Sequence, residues 1–192
     1  MRKIEEFWIE FEPPKSKSDT LISFVYDIVD SLKGAILVAL VIFGLVFRVI
    51  GVDGGSMLPT LNDGDWVAVS GLSLNVDRGD IVIITQPWER NVPIVKRVIA
   101  MGGDEIDINF RTGRVYVNGE MLDEPYTNSL TYLSYDVDFP QTVPEGHVFV
   151  MGDNRGESLD SRSSQIGFID ERYILGEVCF RLYPTGDWNV YE

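Results

Sequence analysis

Ser56 and Lys96 are the two residues around which a reaction can be built. Ser56 stands in Gly54-Gly55-Ser56-Met57-Leu58-Pro59-Thr60. The glycines let a backbone approach a ligand closely, and Pro59 stiffens the chain on the other side. A hydroxyl presented at such a turn can act as a nucleophile if a base takes its proton. Taken alone, the segment also reads as a Gly-Ser linker. Lys96 stands in Pro93-Ile94-Val95-Lys96-Arg97-Val98-Ile99, a strand that is otherwise apolar. Alternation puts Lys96 on the face of Ile94 and Val98, and Arg97 on the other, so one of two cations points toward an apolar face. A lysine there is desolvated, its pKa falls, and the neutral amine can accept a proton. An edge strand guarded by positive charge accounts for the same residues. The third element runs from Phe149 to Arg162, where an apolar strand enters a dense polar loop. Asp153, Asp160, Arg155 and Arg162 can pair there, either as a network bracing a site or as a solvated surface loop.

Composition narrows the chemistry. The 192 residues carry a net charge of −14, which excludes the basic face that nucleic-acid binding needs. The single cysteine, Cys179, cannot form an internal disulfide or a cysteine-rich zinc site. The single histidine, His147, excludes a cluster of histidine metal ligands. It would have to serve any hydrolase with an imidazole base. His147 lies between Gly146 and Val148 at a strand start and reads as structural.

These groups must be positioned by the elements around them. Residues 1–20 are charged, carry Pro13-Pro14, and read as a mobile tail. Asp19 or Thr20 can cap a helix beginning at Leu21, and Leu21, Phe24, Val25, Ile28 and Leu32 recur at helical spacing. Between Lys33 and Arg48 stand 14 residues without a polar side chain. A membrane span needs about 20. Ser31–Lys33 and Arg48–Ile50 extend the run to residues 31–50, close to that length, with Lys33 and Arg48 reaching the interfaces, so residues 21–50 read as an amphipathic segment and a transmembrane helix. Lys15, Lys17 and Lys33 precede the run and Arg48 follows it, which favours an N-terminus inside and residues 51–192 outside. From Gly51 onward, the runs 66–69, 81–84, 94–99, 115–117 and 148–150 are β-branched or aromatic and predict strands. Asn118-Gly119 predicts a tight hairpin. The expected fold class is mostly β: one transmembrane helix, then an antiparallel sheet, with a loop or hairpin insertion at 123–144. Ser56 is nine residues beyond Phe47, a reach of about 30 Å at most, so it lies near the membrane surface.

Taken in order, these segments resemble the sequence boxes of bacterial type I signal peptidases. The resemblance runs through Ser56-Met57-Leu58-Pro59-Thr60-Leu61, Arg78-Gly79-Asp80-Ile81-Val82 and Val95-Lys96-Arg97-Val98-Ile99. It closes with Val143-Pro144-Glu145-Gly146 and Met151 to Arg162, and covers most of residues 34–183. A single span is similar to the Gram-positive-like members. The resemblance implies a partly open barrel and a serine/lysine dyad, Ser56 as nucleophile and Lys96 as base, with no metal or cofactor. It implies that Ser158 orients the lysine and that Asp160, Arg162 and Asp153 brace the site. Members with two spans place an oxyanion-hole serine where Gly54 stands. That leaves the Ser56 N–H as the main expected donor, with the Gly54 N–H or a water beside it. The family implies exported preproteins as substrates, cut after small residues in an Ala-x-Ala pattern, at the cell membrane. Val52, Gly54, Met57, Leu61, Ile94 and Val95 are the candidates for substrate contact, Met57 reading equally as core. Ala100-Met101-Gly102-Gly103-Asp104 departs from the commoner Gly-Leu-Pro-Gly-Asp and puts one turn in question.

Two other functions compete. A self-cleaving serine/lysine peptidase of the SOS-repressor kind would need a DNA-binding segment, against which the apolar run and the acidic charge both count. A non-catalytic peptide-binding β module would not need Ser56 and Lys96 together. The sequence is silent on oligomeric state.

Overall fold

The computed structural model describes residues 17–71, 76–85, 92–186 and 188–190. The chain divides into two compact units, Met1–Gly44 and Leu45–Glu192. The first contains most of helix α1, Lys17–Val46. It begins four residues before the expected Leu21, so the end of the expected tail is helical; residues 1–16 lie outside the described residues. It also ends before Ile50, because Phe47–Gly51 pairs as a strand instead. Among the described residues, no helix is long and apolar enough to cross a membrane. Asp27, Asp30 and Lys33 interrupt the helix before its apolar run, and Lys33 pairs with Asp30 at 3.0 Å.

The second unit is built from β1 Phe47–Gly51, β2 Trp66–Ser70, β3 Ile81–Ile84, β4 Ile94–Met101, β5 Glu105–Asn109, β6 Arg114–Val117, β7 Glu120–Met121, β8 Gln141–Thr142, β9 His147–Met151, β10 Ile169–Asp170 and β11 Ile174–Tyr183. Seven strands form an open antiparallel sheet in the order β1-β2-β11-β3-β4-β9-β10. The other four form a smaller sheet, β7-β6-β5-β8. Alternation along the strands sorts the apolar side chains. Met57, Leu61, Val67, Val69, Ile81, Ile83 and Val178 form one core cluster. Val82, Ile84, Val98, Val148 and Val150 form another. A third joins Ile99, Phe149 and Met151 to the small sheet through Ile106, Val115 and Val117. Each such side chain contributes about 1.5–3 kcal/mol on full burial.

The five expected strands are present, and Asn118-Gly119 forms the two-residue turn between β6 and β7, both residues at positive φ. Residues 123–140 form no hairpin; they run as an irregular strap before β8 pairs with β5. β1, β5, β8, β10 and β11 are not among the expected strands, and β11 is the longest of them, although it lies inside the large sheet between β2 and β3. Its register shifts between Ile174 and Gly176, Val178 and Phe180, and Arg181 and Tyr183, which scrambles the alternation a sequence reading depends on. Gly176 marks the closest approach: a Cβ there would lie 2.2 Å from the Ser70 carbonyl oxygen of β2. Gly176→Ala must therefore push the β11 backbone away from that of β2. The expected result is a loss of about 2 kcal/mol or more in thermal unfolding. An unchanged melting temperature would show that the sheet yields at this point.

Candidate active site

The sheet carries Lys96 to Ser56. In β4, Lys96 pairs with Val82 of β3, on the face that Ile94 and Val98 share. Its amine donates to Ser56 Oγ at 2.8 Å and to the Val95 carbonyl at 2.9 Å. Lys96 is 3% exposed. Burial pushes its pKa down to about 8, against the pull of Asp160 and Asp153, with the Arg162 charge adding to the lowering. Ser56 itself is half-buried and lies in a short turn: the Leu58 N–H donates to Gly55 O at 3.2 Å.

The turn is pinned from the polar loop that follows β9. The Asn154 N–H donates to Ser56 O at 3.1 Å, and its side-chain amide to Gly55 O at 3.0 Å. Gly152 makes this approach feasible. A Cβ at that position would meet Ser56 O at 2.4 Å and Ser158 Oγ at 2.2 Å, so only glycine lets the loop close on Ser56. Thr60, four residues past Ser56, donates its hydroxyl to Asp153.

Two buried ion pairs frame the amine. Asp160 and Arg162 form a two-pronged pair at 2.8 and 2.9 Å, both fully buried, and Asp160 also accepts the Gly152 N–H at 3.0 Å. Asp153 does not pair with Arg155 as the loop's sequence allows; Arg97 grips it at 2.9 and 2.7 Å. Arg97 also donates to Gly79 O at 2.8 Å and lies 4.1 Å from the centre of the Tyr126 ring. Arg155 turns to Glu124 at 2.6 Å and Thr131 at 2.8 Å. Arg97, Thr60, Gly152 and Asn154 are thus site residues that the sequence reading missed. Arg97's place on the face opposite Lys96 was the one available signal.

Several expectations change. The Gly54 N–H is engaged by the Asp63 carboxylate at 2.9 Å, which removes it as an oxyanion donor. The Ser56 N–H has no acceptor among the described residues. Ser158 does not hydrogen-bond Lys96; its hydroxyl is buried without a partner. Met57 and Leu61 are fully buried core residues, and Val52 joins the same cluster, because the turn after Ser56 drives them inward. Val95 packs partly buried against that cluster, while Ile94 packs on the opposite face with Val82 and Val98. A cavity of about 330 Å³, lined in part by Pro59, Thr60, Tyr126 and Arg181, touches neither Ser56 nor Lys96. His147 sits at the start of β9, its ring 3.1 Å from the Glu145 carbonyl.

A serine hydroxyl beside a buried, weakly basic amine is the constellation of a serine hydrolase whose base is a lysine. Residues 25–183 match the family model described as signal peptidase, peptidase S26. A signal peptidase I of Bacillus licheniformis is 37% identical over 183 residues, covering 90% of this chain and 96% of that protein. Signal peptidase IB of Staphylococcus aureus (strain N315) is 35% identical over 177 residues, covering 81% and 90%. A crystal structure of a signal peptidase I from Enterococcus faecalis V583 is 30% identical and covers 55% of this chain and 97% of that one, with a TM-score of 0.44. The chain belongs to the signal peptidase family, peptidase S26.

The Lys96 geometry sets a pH dependence. Below about pH 8 the amine is protonated and cannot accept the Ser56 proton. Activity is expected to fall about tenfold per pH unit below that point and to level off above it. The same shift costs stability. The unfolded lysine titrates near 10.5, so the penalty is full below about pH 8 and fades as pH rises toward 10.5. Lys96→Met is therefore expected to abolish activity at pH 7 without lowering the melting temperature. A flat pH–rate profile, or a Lys96→Met protein that melts well below the parent, would contradict this reading of the amine.

Proposed function

We propose that the chain is a membrane-anchored signal peptidase I, a serine endopeptidase that removes signal peptides from exported preproteins through Ser56 and Lys96. The observation that carries the mechanism is the 2.8 Å contact between a half-buried serine and a buried amine whose pKa lies near 8. Neutral Lys96 takes the Ser56 proton, and Ser56 Oγ adds to the scissile carbonyl. The Ser56 N–H faces the oxyanion. Lys96 passes its proton to the leaving amine and an ester remains. Lys96 then deprotonates a water, which attacks the ester and frees Ser56.

The substrate lies extended along β4. Val98 exchanges main-chain hydrogen bonds with Gly79 and Asp80, on the β3 side. Alternation turns the main-chain groups of Val95 the other way. Pairing with β9 begins only at Arg97, so the edge beside Val95 is open to a peptide strand. Small side chains before the cut suit this edge, since Met57 and Leu61 already fill the space behind the serine turn.

The anchor is α1, with its N-terminus cytoplasmic and the catalytic unit outside. Ile36, Leu37, Val38, Leu40, Val41 and Ile42 are all more than half exposed along it, an apolar surface that water disfavours. The second unit carries Trp66 on β2, Tyr183 on β11 and Trp188 beyond it, each at least 50% exposed, beside the Phe47–Phe180 edge-to-face pair. Aromatic rings of this kind favour the headgroup layer of a bilayer.

The decisive assay presents the purified, detergent-solubilised protein with a preprotein bearing an Ala-x-Ala site. The parent is expected to release the mature protein, and Ser56→Ala and Lys96→Ala to lose at least about a thousandfold in rate. Full activity in either variant would remove the dyad. Protease added to intact cells tests the topology: residues 51–192 should be digested, and their survival would reverse the orientation.

A further inference from the structure

Two unmet hydrogen-bonding groups lie close to the reaction. A lysine ammonium has three protons to donate, and Lys96 has acceptors for two, Ser56 Oγ and Val95 O. Ser158 Oγ is fully buried and has no partner. It packs against Gly152, whose other close neighbour is the Ser56 carbonyl oxygen. A buried hydroxyl without a partner is costly, so its place has to be enforced by the rest of Ser158.

The backbone of Ser158 is held with unusual thoroughness. Its N–H donates to Asn154 O at 3.0 Å. Its carbonyl accepts from Arg162 Nη2 at 3.1 Å and from the Tyr135 hydroxyl at 3.0 Å. Tyr135 comes from the strap, whose role the sequence left open. The strap is fastened on either side of Tyr135. The Leu133 carbonyl accepts from Arg162 at 2.9 Å, and Asp136 accepts the Ser164 N–H at 2.9 Å and the Ser164 hydroxyl. Glu124 and Thr131, earlier in the strap, hold Arg155. The strap thus spends its polar groups on the loop that carries Ser158.

We propose that Tyr135 is a positioning residue for the reaction: its hydroxyl fixes the Ser158 carbonyl and so holds Ser158 Oγ ready to accept the third proton of Lys96. That acceptor is needed once Lys96 has taken the Ser56 proton and become an ammonium. No bond to Tyr135 is made or broken, and it touches neither the substrate nor the reacting atoms. The inference rests on the dyad reading given above.

The test is a double-mutant cycle on the full chain with the preprotein substrate: parent, Tyr135→Phe, Ser158→Ala and the double variant. Tyr135→Phe keeps the ring that lies 5.5 Å from the Arg162 guanidinium and removes only the hydroxyl. It is expected to lower kcat about fivefold, the worth of one hydrogen bond, with KM within about twofold. In the Ser158→Ala background the same change is expected to cost less than about twofold. An equal loss in both backgrounds, or no loss in the first, overturns the proposal and leaves the strap as scaffold. If Ser158→Ala is too slow to measure, the acid limb of the parent and Tyr135→Phe profiles decides. Asp153, Asp160 and Arg162, the charges that face Lys96, are unchanged in that variant. A weaker acceptor for the ammonium moves the limb to lower pH, whereas an unmoved limb overturns the proposal. A parent that cuts no preprotein would instead count against the dyad reading itself.

Discussion

The site depends on keeping one amine dry. An exposed lysine is almost wholly protonated at neutral pH and is useless as a base. Burying Lys96 beside apolar strands costs free energy in the charged state, and that cost is what makes the amine available. The neighbouring carboxylates complicate this. Asp153 and Asp160 both pull the amine toward protonation. Each is gripped by its own guanidinium, Arg97 or Arg162, in a two-pronged buried pair. Arg162 pushes back against the carboxylate pull, and desolvation remains the largest influence on the basicity of Lys96.

Buried pairs of this kind add little net stability, yet removing one partner costs about 3–5 kcal/mol. Their value here is geometric. Asp153 ties β4 to the serine turn through Arg97 and Thr60. Asp160 holds the Gly152 N–H while Gly152 lies against the Ser56 main chain. The loop after β9 therefore locks Ser56 and Lys96 to a single frame. The strap reinforces that frame from outside through Arg155, Arg162 and Tyr135. Membership in the signal peptidase family gives this frame its context, that of a serine endopeptidase.

Much of this was legible in the sequence. Short β-branched runs marked the strands, because a half-buried sheet demands that pattern. Asn118-Gly119 marked its hairpin, because few residues accept positive φ. Lys96 was legible as a cation on an apolar strand face. β11 was not, since three register shifts break its alternation. β1 was hidden by its apolar character, which continues that of the helix before it, so the helix was carried to Ile50 although it ends at Val46.

The sequence by itself determined residue type, order and local period: a serine in a glycine turn, a lysine in an apolar strand, a polar loop of paired charges. These are properties of neighbours along the chain. Only the tertiary structure decided who meets whom. It gave Asp153 to Arg97 and not to Arg155, engaged the Gly54 N–H with Asp63, and buried Met57 and Leu61 in the core. It also left Ser158 Oγ without a partner and brought Tyr135 to the Ser158 carbonyl. The physical reason is that such contacts join residues from about 9 to more than 50 positions apart. Choosing among equally plausible partners requires the backbone path that the sheet and its loops alone define.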